Sequence, residues 1–375
     1  MSRAYLLYGN QFQRSDAILT ASSIDAAFPV GWLRDQLRSK KWRSKSGYNV
    51  VAGFNNKLDF KEAGVARVAT LAVANYPTPA LFAAQVQLAM NAAPGAVNTY
   101  VVTYNVPFFT ITRNTGAAAV ILPFGTGANV ASSAHRDLGF TSGDYSGLTS
   151  YTGGDTYHSR EWVKGDFGSF LGNQAFGQAG AVIEHNLLAA GAGQITLQGN
   201  ATDVWSAPSV SKVLATADAG IVLNFFIGTG DLCRYWRFLI EDVSNPDGFS
   251  EMGIAYLGTP LFTTVGYSIN LSNDPEELSA VDFAIQGAHY QDQRPIRNVW
   301  SLEWEEIGDN DLAVLEAWEA ATPRGKCFFF AFDGSGDPLD TIYCFRASAL
   351  RKQYVGPGPG GSYWTASVTL AEALG

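Results

Sequence analysis

The amino-acid sequence predicts a mainly β protein with a minor α+β part. Hydrophobic residues form 47% of the 375 residues and aromatic residues 13%, which is enough apolar surface for folded cores. Most apolar runs have the length of a strand, and many alternate between apolar and polar residues. They are separated by turns rich in the 39 glycines of the chain. Because a chain of this length exceeds one ordinary hydrophobic core, we expect two or three domains.

The first elements lie in residues 16–46. Aromatic and aliphatic residues are separated there by short polar stretches, and Pro29 interrupts the pattern. This arrangement predicts an edge strand, a turn of helix and a second short strand.

Residues 48–155 predict a small α+β unit of their own. The predicted strands cover residues 57–61, 65–73, 100–104, 108–112 and 120–124. Thr78 followed by Pro79 is typical of a helix start, because threonine caps free N–H groups and proline fits the first helical position. One apolar stripe of this helix is formed by Phe82, Val86 and Met90.

Residues 162–258 return to an all-β pattern. The predicted strands cover residues 182–188, 194–198, 221–226, 234–242 and 252–258. In the fourth strand, alternation places Trp236 and Phe238 on one face and Arg237 on the other. The Asn-Pro-Asp-Gly sequence at 245–248 predicts a tight reversal between the last two strands.

The block after residue 258 predicts a further sheet. Its predicted strands cover residues 299–305, 326–332, 341–347 and 364–370. A short helix is predicted to begin at Asp309, with Leu312, Leu315 and Trp318 turned inward. We expect residues 357–361, which are proline and glycine only, to form a flexible loop outside any ladder.

The charge of the chain restricts the class of partner. A net charge of −9 argues against nucleic-acid binding, which needs a basic footprint, and the one basic cluster lies at residues 34–45. Charged residues form only 16% of the chain, whereas soluble domains carry about a quarter. This low charge content suggests a surface that is covered by other subunits. It is equally consistent with an extracellular β protein that has a neutral surface.

The sequence shows no recognised catalytic, metal or cofactor motif. The three cysteines and four histidines form no metal-binding spacing, and we expect Cys233 and Cys327 as small core residues. Cys327 and Cys344 could face each other across a hairpin, without any need for a disulfide. We expect no cofactor, no metal and no enzymatic activity.

We expect structural roles for the isolated polar residues in the predicted strands. His185 is expected as a structural histidine in a strand, and Glu303 and Glu305 as a solvated strand face rather than a catalytic carboxylate pair. The N-terminus lacks an apolar stretch of signal-peptide length and no segment approaches a membrane span, so we expect synthesis in a cytoplasm and no membrane insertion.

Residues 16–46 resemble the opening of a discoidin-like (galactose-binding-like) jelly roll. The likeness rests on a strand, a proline before a short turn, Asp35 at an acidic position of that fold and a nearby tryptophan. Residues 182–188, 194–205 and 235–258 resemble its later strands. The resemblance implies a split β-sandwich formed by residues 1–47 and 156–260, with residues 48–155 inserted at a loop.

The other two parts resemble modules of tailed-phage proteins. In the insert, the likeness rests on Asn55 to Leu58, Tyr76 before the helix, and the motifs at 99–105, 109–113, 138–140 and 149–152. Residues 261–375 are similar in order to the β-barrel hub domain of phage distal tail proteins. The resemblance implies a virion component of the tail tip or baseplate, made in the host cytoplasm. It would form a homo-oligomeric ring that links the tail tube to receptor-binding parts.

Two alternatives remain open. The first is a tail protein that binds a host-surface carbohydrate, for which Trp32, Trp42 and Tyr48 are candidate loop aromatics that could stack on sugar rings. For Trp42, a place in the jelly-roll core is favoured over exposure. The second is an enzyme that degrades envelope polysaccharide. Asp35 could help to bind a cation, but one acid is fewer than a hard cation needs, which favours a turn or helix cap.

Overall fold

A computed structural model describes residues 4–154, 158–168, 175–187, 193–216, 221–225, 231–243, 245, 247–268, 272–283, 289–292, 294–333, 340–358 and 361–374. The protein is mainly β, with 46% of residues in strands and two α-helices. The sheets formed by the described strands are all open, so the predicted closed hub barrel is not seen in this part of the chain.

The α-helices are α1 Pro79–Asn91 and α2 Asp309–Ala321. The strands in chain order are β1 Tyr5–Leu7, β2 Ile18–Ala21, β3 Trp42–Arg43, β4 Tyr48–Asn49, β5 Lys57–Glu62, β6 Val65–Thr70, β7 Asn75–Tyr76, β8 Thr99–Asn105, β9 Phe108–Thr115, β10 Val120–Pro123, β11 Asp144–Tyr145, β12 Ser150–Thr152, β13 His158–Asp166, β14 Ala175–Gly177, β15 Ala179–Ile183, β16 Gly193–Asn200, β17 Val210–Val213, β18 Ala215–Thr216, β19 Ile221–Phe225, β20 Asp231–Cys233, β21 Tyr235–Val243, β22 Glu251–Met252, β23 Ile254–Gly258, β24 Leu261–Phe262, β25 Ser272–Asn273, β26 Glu276–Glu277, β27 Ala280–Phe283, β28 His289–Asp292, β29 Ile296–Arg297, β30 Val299–Gly308, β31 Cys327–Ala331, β32 Thr341–Arg346, β33 Arg351–Gly358 and β34 Gly361–Glu372.

The first core cluster consists of residues between Tyr48 and Tyr151, and we call this part of the chain the module. Its sheets have the orders β11-β10-β5-β6 and β12-β9-β8, and α1 packs against β8 and β6. The helix begins as predicted, because the Thr78 hydroxyl accepts the N–H of Leu81 at 3.3 Å and Pro79 occupies the first turn. The predicted apolar stripe is fully buried.

The second core cluster lies between two sheets, an arrangement consistent with a β-sandwich, and we call this part the sandwich. The sheets have the orders β17-β16-β21-β13-β2 and β18-β19-β15-β23. Segments before and after the module both contribute, since Trp42 and Trp236 are fully buried in the same cluster. The two short strands and the turn of helix predicted in residues 16–46 are present as β2, β3 and a 3-10 helix over Val30–Arg34.

The largest sheet has the order β24-β1-β31-β32-β34-β30-β25, and β33 pairs with β34. The helix α2 covers it and buries Leu312, Leu315 and Trp318, as predicted. Strand β1 belongs to this sheet through its pairing with β31, although the predicted division groups residues 1–47 with the sandwich. Strand partners distant in the sequence leave no local signal, so the three apolar residues of β1 could not indicate which sheet it joins.

The predicted reversal after Asn245 is present, because the N–H of Gly248 donates to the carbonyl oxygen of Asn245 at 3.3 Å and Gly248 has the expected left-handed φ of +68°. Strands β21 and β23 nevertheless lie in different sheets, so they form no hairpin. The predicted loop at 357–361 is wrong. Pro357 belongs to β33 and pairs with Ser362, so the predicted 357–361 loop is partly a ladder. Strand β33 pairs only with β34 among the described strands, and proline is tolerated on such an edge because its missing N–H breaks no inner bond.

Two predictions for single residues are also wrong. Cys327 pairs with Phe345 and Cys344 with Phe328, so the two cysteines are offset by one residue and point to opposite faces. Strand β15 ends at Ile183, and Glu184 follows with φ of +57°, which places His185 outside the strand. Residues 188 and 226, at the ends of two predicted strands, lie outside the described residues.

Candidate binding cleft between the module and the sandwich

A cleft of about 440 Å³ lies where the module meets the outer face of the sandwich sheet. The module contributes residues 51–54 and part of 128–132, and the sandwich contributes residues 203–206 and side chains of β13 and β21. Ligand pockets typically have about 300–1,000 Å³, so the cleft has the size of a small-molecule site.

Hydrogen bonds from side chains hold both module loops that line the cleft. The N–H of Val51 donates to the side-chain oxygen of Asn55 at 2.7 Å. The N–H and the side-chain amide of Asn129 both donate to Asp59, each at 2.7 Å. Since these bonds within the module fix the conformations of both loops, the module wall is formed before any ligand arrives.

Arg237 lies at the base of the cleft and is only 5% exposed. Alternation along β21 sends Trp236 and Phe238 into the sandwich core, so Arg237 points to the opposite face. Its Nε donates to Oε1 of Gln198 at 2.7 Å. Its guanidinium carbon lies 4.2 Å from the ring centroid of Trp205 and 5.7 Å from that of Phe54. Aromatic rings therefore provide much of its surroundings.

The charge of Arg237 has no carboxylate partner within ion-pair distance among the described residues. Desolvation by burial, followed by repulsion from Arg160, lowers the pKa of the Arg237 guanidinium to about 9, and the nearby charges of Asp203 and Glu241 offset only part of this. Arg237 is therefore still a cation at neutral pH. A buried cation without a directly paired anion is unfavourable, so this position is suited to accept a negative group from outside the chain.

Asp203 organises the sandwich wall of the cleft. One of its oxygens accepts from Nζ of Lys164 at 2.5 Å, and the other accepts from Nε1 of Trp205 at 2.7 Å. The ammonium of Lys164 also lies 5.1 Å from the ring centroid of Trp162. Lys164 is thus already neutralised, and the two half-buried indole rings are held in place.

A polar contact between the module and the sandwich lies close to the cleft. Arg160 of β13 pairs with Glu241 of β21 at 3.0 Å, and Arg136 of the module reaches the same carboxylate at 3.4 Å. The Arg160 guanidinium lies 4.7 Å from the ring centroid of Phe54. Phe54 therefore lies near the guanidinium groups of both Arg160 and Arg237.

Glu161 is a buried carboxyl at the same junction and is only 1% exposed. The hydroxyls of Ser22 and Ser23 and the side-chain amide of Asn49 donate to it, the last at 2.6 Å. Desolvation by burial is the largest influence and raises the pKa of Glu161 to about 7, with a further contribution from the nearby charge of Asp137.

Asp137 lies on the module side of this junction. It accepts from the side-chain amide of Asn55 at 3.2 Å, and burial raises its pKa to about 7. Two buried carboxyls thus face the boundary between module and sandwich, where each one disfavours ionisation of the other.

The structure separates the three aromatic residues considered as sugar platforms. Trp42 is fully buried in the sandwich core, which is the placement that the sequence favoured for it. Tyr48 is stacked on Phe82 in the module core, with ring centroids 4.6 Å apart, so the expected exposure of Tyr48 is wrong. Trp32 is half-buried and contacts Phe28 edge-on. Large aromatic side chains stabilise cores by burying their rings, and the sequence favoured the core for Trp42 but gave no such indication for Tyr48.

The acidic residues considered in the sequence are either ion-paired or exposed. Asp35 ends the 3-10 helix over Val30–Arg34 and pairs with Lys40 at 2.6 Å. Glu303 and Glu305 are exposed on β30. The described residues contain no group of three or more potential metal ligands placed to hold an ion, and the described residues of the cleft include one carboxylate, Asp203. One acid does not form the opposed pair that most glycosidases need.

The cleft residues were not identified from the sequence. The available signal was Arg237, a charged residue in the middle of an apolar strand, together with Trp205 in a polar segment. The indole of Trp205 and the guanidinium of Arg237 lie on neighbouring segments because β16 pairs with β21, a pairing between segments about 40 residues apart. Phe54 reaches Arg237 from a module loop that is much farther away in the chain.

Comparison with known proteins gives no match of the chain to a protein-family model and no significant sequence similarity to a curated protein. Within the described part of the chain, no helix has the length and apolar character needed to cross a membrane.

Proposed function

We propose that this chain is a structural subunit of a bacteriophage tail tip or baseplate, forming a ring that links the tail tube to receptor-binding parts. In this proposal the sandwich is a discoidin-like jelly roll and the C-terminal sheet is a hub domain of the distal-tail type. The proposal is supported by the motifs in the module and in the C-terminal block, and by the low charge content of the chain.

The observation that carries the assembly role is the solvent-facing side of α1. The helix contains no charged residue, and Leu81 and Leu88 are 51% and 63% exposed on it. Exposed faces of helices in soluble proteins normally carry charged or polar residues. Two exposed leucines two turns apart therefore favour a face that another subunit covers.

A closed ring is the arrangement in which identical subunits bury such a face at every position. Cyclic symmetry leaves no unpaired interface, whereas an open head-to-tail contact would continue into a filament. The exposed apolar side chains at other sites of the module, Val65, Val97, Val106 and Leu148, are compatible with a second contact surface.

The experiment is a measurement of molar mass by light scattering, combined with negative-stain images, on the full chain and on the double variant Leu81→Lys/Leu88→Lys. We expect the unmodified chain to form a discrete ring and the variant to dissociate. The matched control is Ile18→Lys/Val213→Lys, which changes two exposed apolar residues of the sandwich. An unmodified chain that stays monomeric at high concentration and does not bind tail components would refute the proposal.

A further inference from the structure

The cleft between the module and the sandwich contains a buried cation, Arg237, that has no carboxylate within ion-pair distance among the described residues. We propose that this cleft binds a saccharide that bears a carboxylate, with the Arg237 guanidinium paired to the carboxylate and the indole rings of Trp162 and Trp205 against the sugar. This inference goes beyond the assembly role and does not depend on it.

The geometry of Arg237 favours a carboxylate. The Nε atom is already bonded to Gln198, and the terminal nitrogens form no hydrogen bond within the described part of the chain. A guanidinium presents parallel N–H groups that match the two oxygens of a carboxylate. The neighbouring rings of Trp205 and Phe54 keep the group in position, so little side-chain freedom remains to be lost on binding.

The walls of the cleft favour a sugar as the carrier of that carboxylate. The C–H faces of a pyranose pack on flat aromatic rings, and Trp162 and Trp205 are half-buried with part of each ring open. Asp203 fixes the Trp205 ring through the indole N–H. Ser132 and Asn129 also line the cleft. Their side-chain donors are bonded to the Asn129 carbonyl and to Asp59, so the Ser132 hydroxyl oxygen and the Asn129 side-chain oxygen are the groups that can accept from sugar hydroxyls.

The charge pattern argues against polymeric phosphate ligands. A nucleic acid or a polyol phosphate needs several cations in a row, and the chain carries a net charge of −9. In the cleft, the charge of Lys164 is compensated by Asp203. Arg237, a single cation between aromatic rings without a directly paired carboxylate, matches a ligand that carries one carboxylate on a sugar ring.

The test measures binding of short saccharides by titration calorimetry and tryptophan fluorescence. The acidic probes are trisaccharides of galacturonate and of glucuronate, and a sialyl trisaccharide. The neutral probe is a galactose trisaccharide, and the phosphate probe is a ribitol-phosphate trimer. We expect at least one acidic probe to bind with saturation and to quench tryptophan fluorescence, and the neutral and phosphate probes to bind at least tenfold more weakly.

Substitutions of cleft residues test whether the acidic probe binds in the cleft. Arg237→Gln should weaken binding of the acidic probe at least tenfold, and Trp205→Ala should do the same. Arg237→Lys keeps the charge but loses the paired N–H groups. It replaces Arg237→Gln in the binding measurement if the Gln variant folds poorly. The matched control is Arg234→Gln, which removes an equal charge from a neighbouring residue that is paired with Asp166. It should bind like the unmodified chain.

Absence of saturable binding by all three acidic probes would overturn the inference. Equal binding by the Arg237 variants, or a preference for the phosphate probe, would do so as well. Because binding is measured on soluble saccharides and assembly by molar mass, a failure of this inference and a failure of the proposed tail function are distinguished.

Discussion

Replacing Glu161 by glutamine should stabilise the protein at alkaline pH and have little effect at acidic pH. The carboxyl is buried between the sandwich and the module, and burial raises its pKa from the ordinary 4.5 to about 7. The folded state therefore binds a proton that the unfolded state releases between these two values. By linkage, the free energy of unfolding falls as the pH rises from about 4.5 to 7, and stays lowered above that range.

The size of the effect follows from the two pKa values of Glu161. At 1.36 kcal/mol per pKa unit, a pKa raised from 4.5 to about 7 corresponds to ~3 kcal/mol above pH 7. Most of this accumulates between pH 5 and pH 8. Since glutamine has a similar shape and can donate to or accept from the surrounding serine and asparagine groups without ionising, Glu161→Gln removes the pH-dependent part.

The assay is urea unfolding followed by tryptophan fluorescence at pH 5, 6, 7 and 8, on the unmodified chain and on Glu161→Gln. The difference between the two free energies of unfolding should grow by about 2–3 kcal/mol from pH 5 to pH 8, in favour of the variant. Taking the difference cancels the other titrating groups to first order. Glu303→Gln, at an exposed site on β30, is the control and should show no such growth.

A difference that is constant with pH would refute the reasoning, and so would a variant that is less stable than the unmodified chain at pH 8. Asp137→Asn offers an independent check at the facing carboxyl, whose pKa burial also raises to about 7. Because the two charges disfavour each other, the stabilisation at pH 8 in the double variant should be smaller than that of the two single variants combined.

Three further predictions concern the folded cores and are checked by denaturant unfolding. Thr78→Ala removes the hydroxyl that accepts the N–H of Leu81 at the start of α1, and should lower the free energy of unfolding by about 1 kcal/mol, whereas Thr78→Ser should not. Gly127→Ala would place a methyl group 2.7 Å from the carbonyl oxygen of Pro123 and should lower the free energy of unfolding. A variant as stable as the unmodified chain would contradict the packing at this turn. Leu315→Ala empties part of the fully buried contact between α2 and its sheet, and should lower stability by about 2–5 kcal/mol.

Elements that depend on neighbouring residues were predicted well. The helix α1 begins where a capping threonine and a proline indicate it, and the hairpins β5–β6 and β8–β9 form where short turns separate alternating segments. The alternation in β21 also correctly separated Trp236 and Phe238 from Arg237. These features were predictable because turn chemistry, capping and strand periodicity act over a few residues.

By itself, the sequence determined the mainly β character of the protein, its two helices and the inward faces of its long strands. The tertiary structure alone decided that β1 joins the C-terminal sheet and that β21 and β23 lie in different sheets. It also decided that Tyr48 is buried and that Arg237 meets Trp205 beside the module loop. Local backbone preferences are encoded within a few residues, whereas strand partners and the surroundings of a buried charge depend on packing between segments distant in the chain.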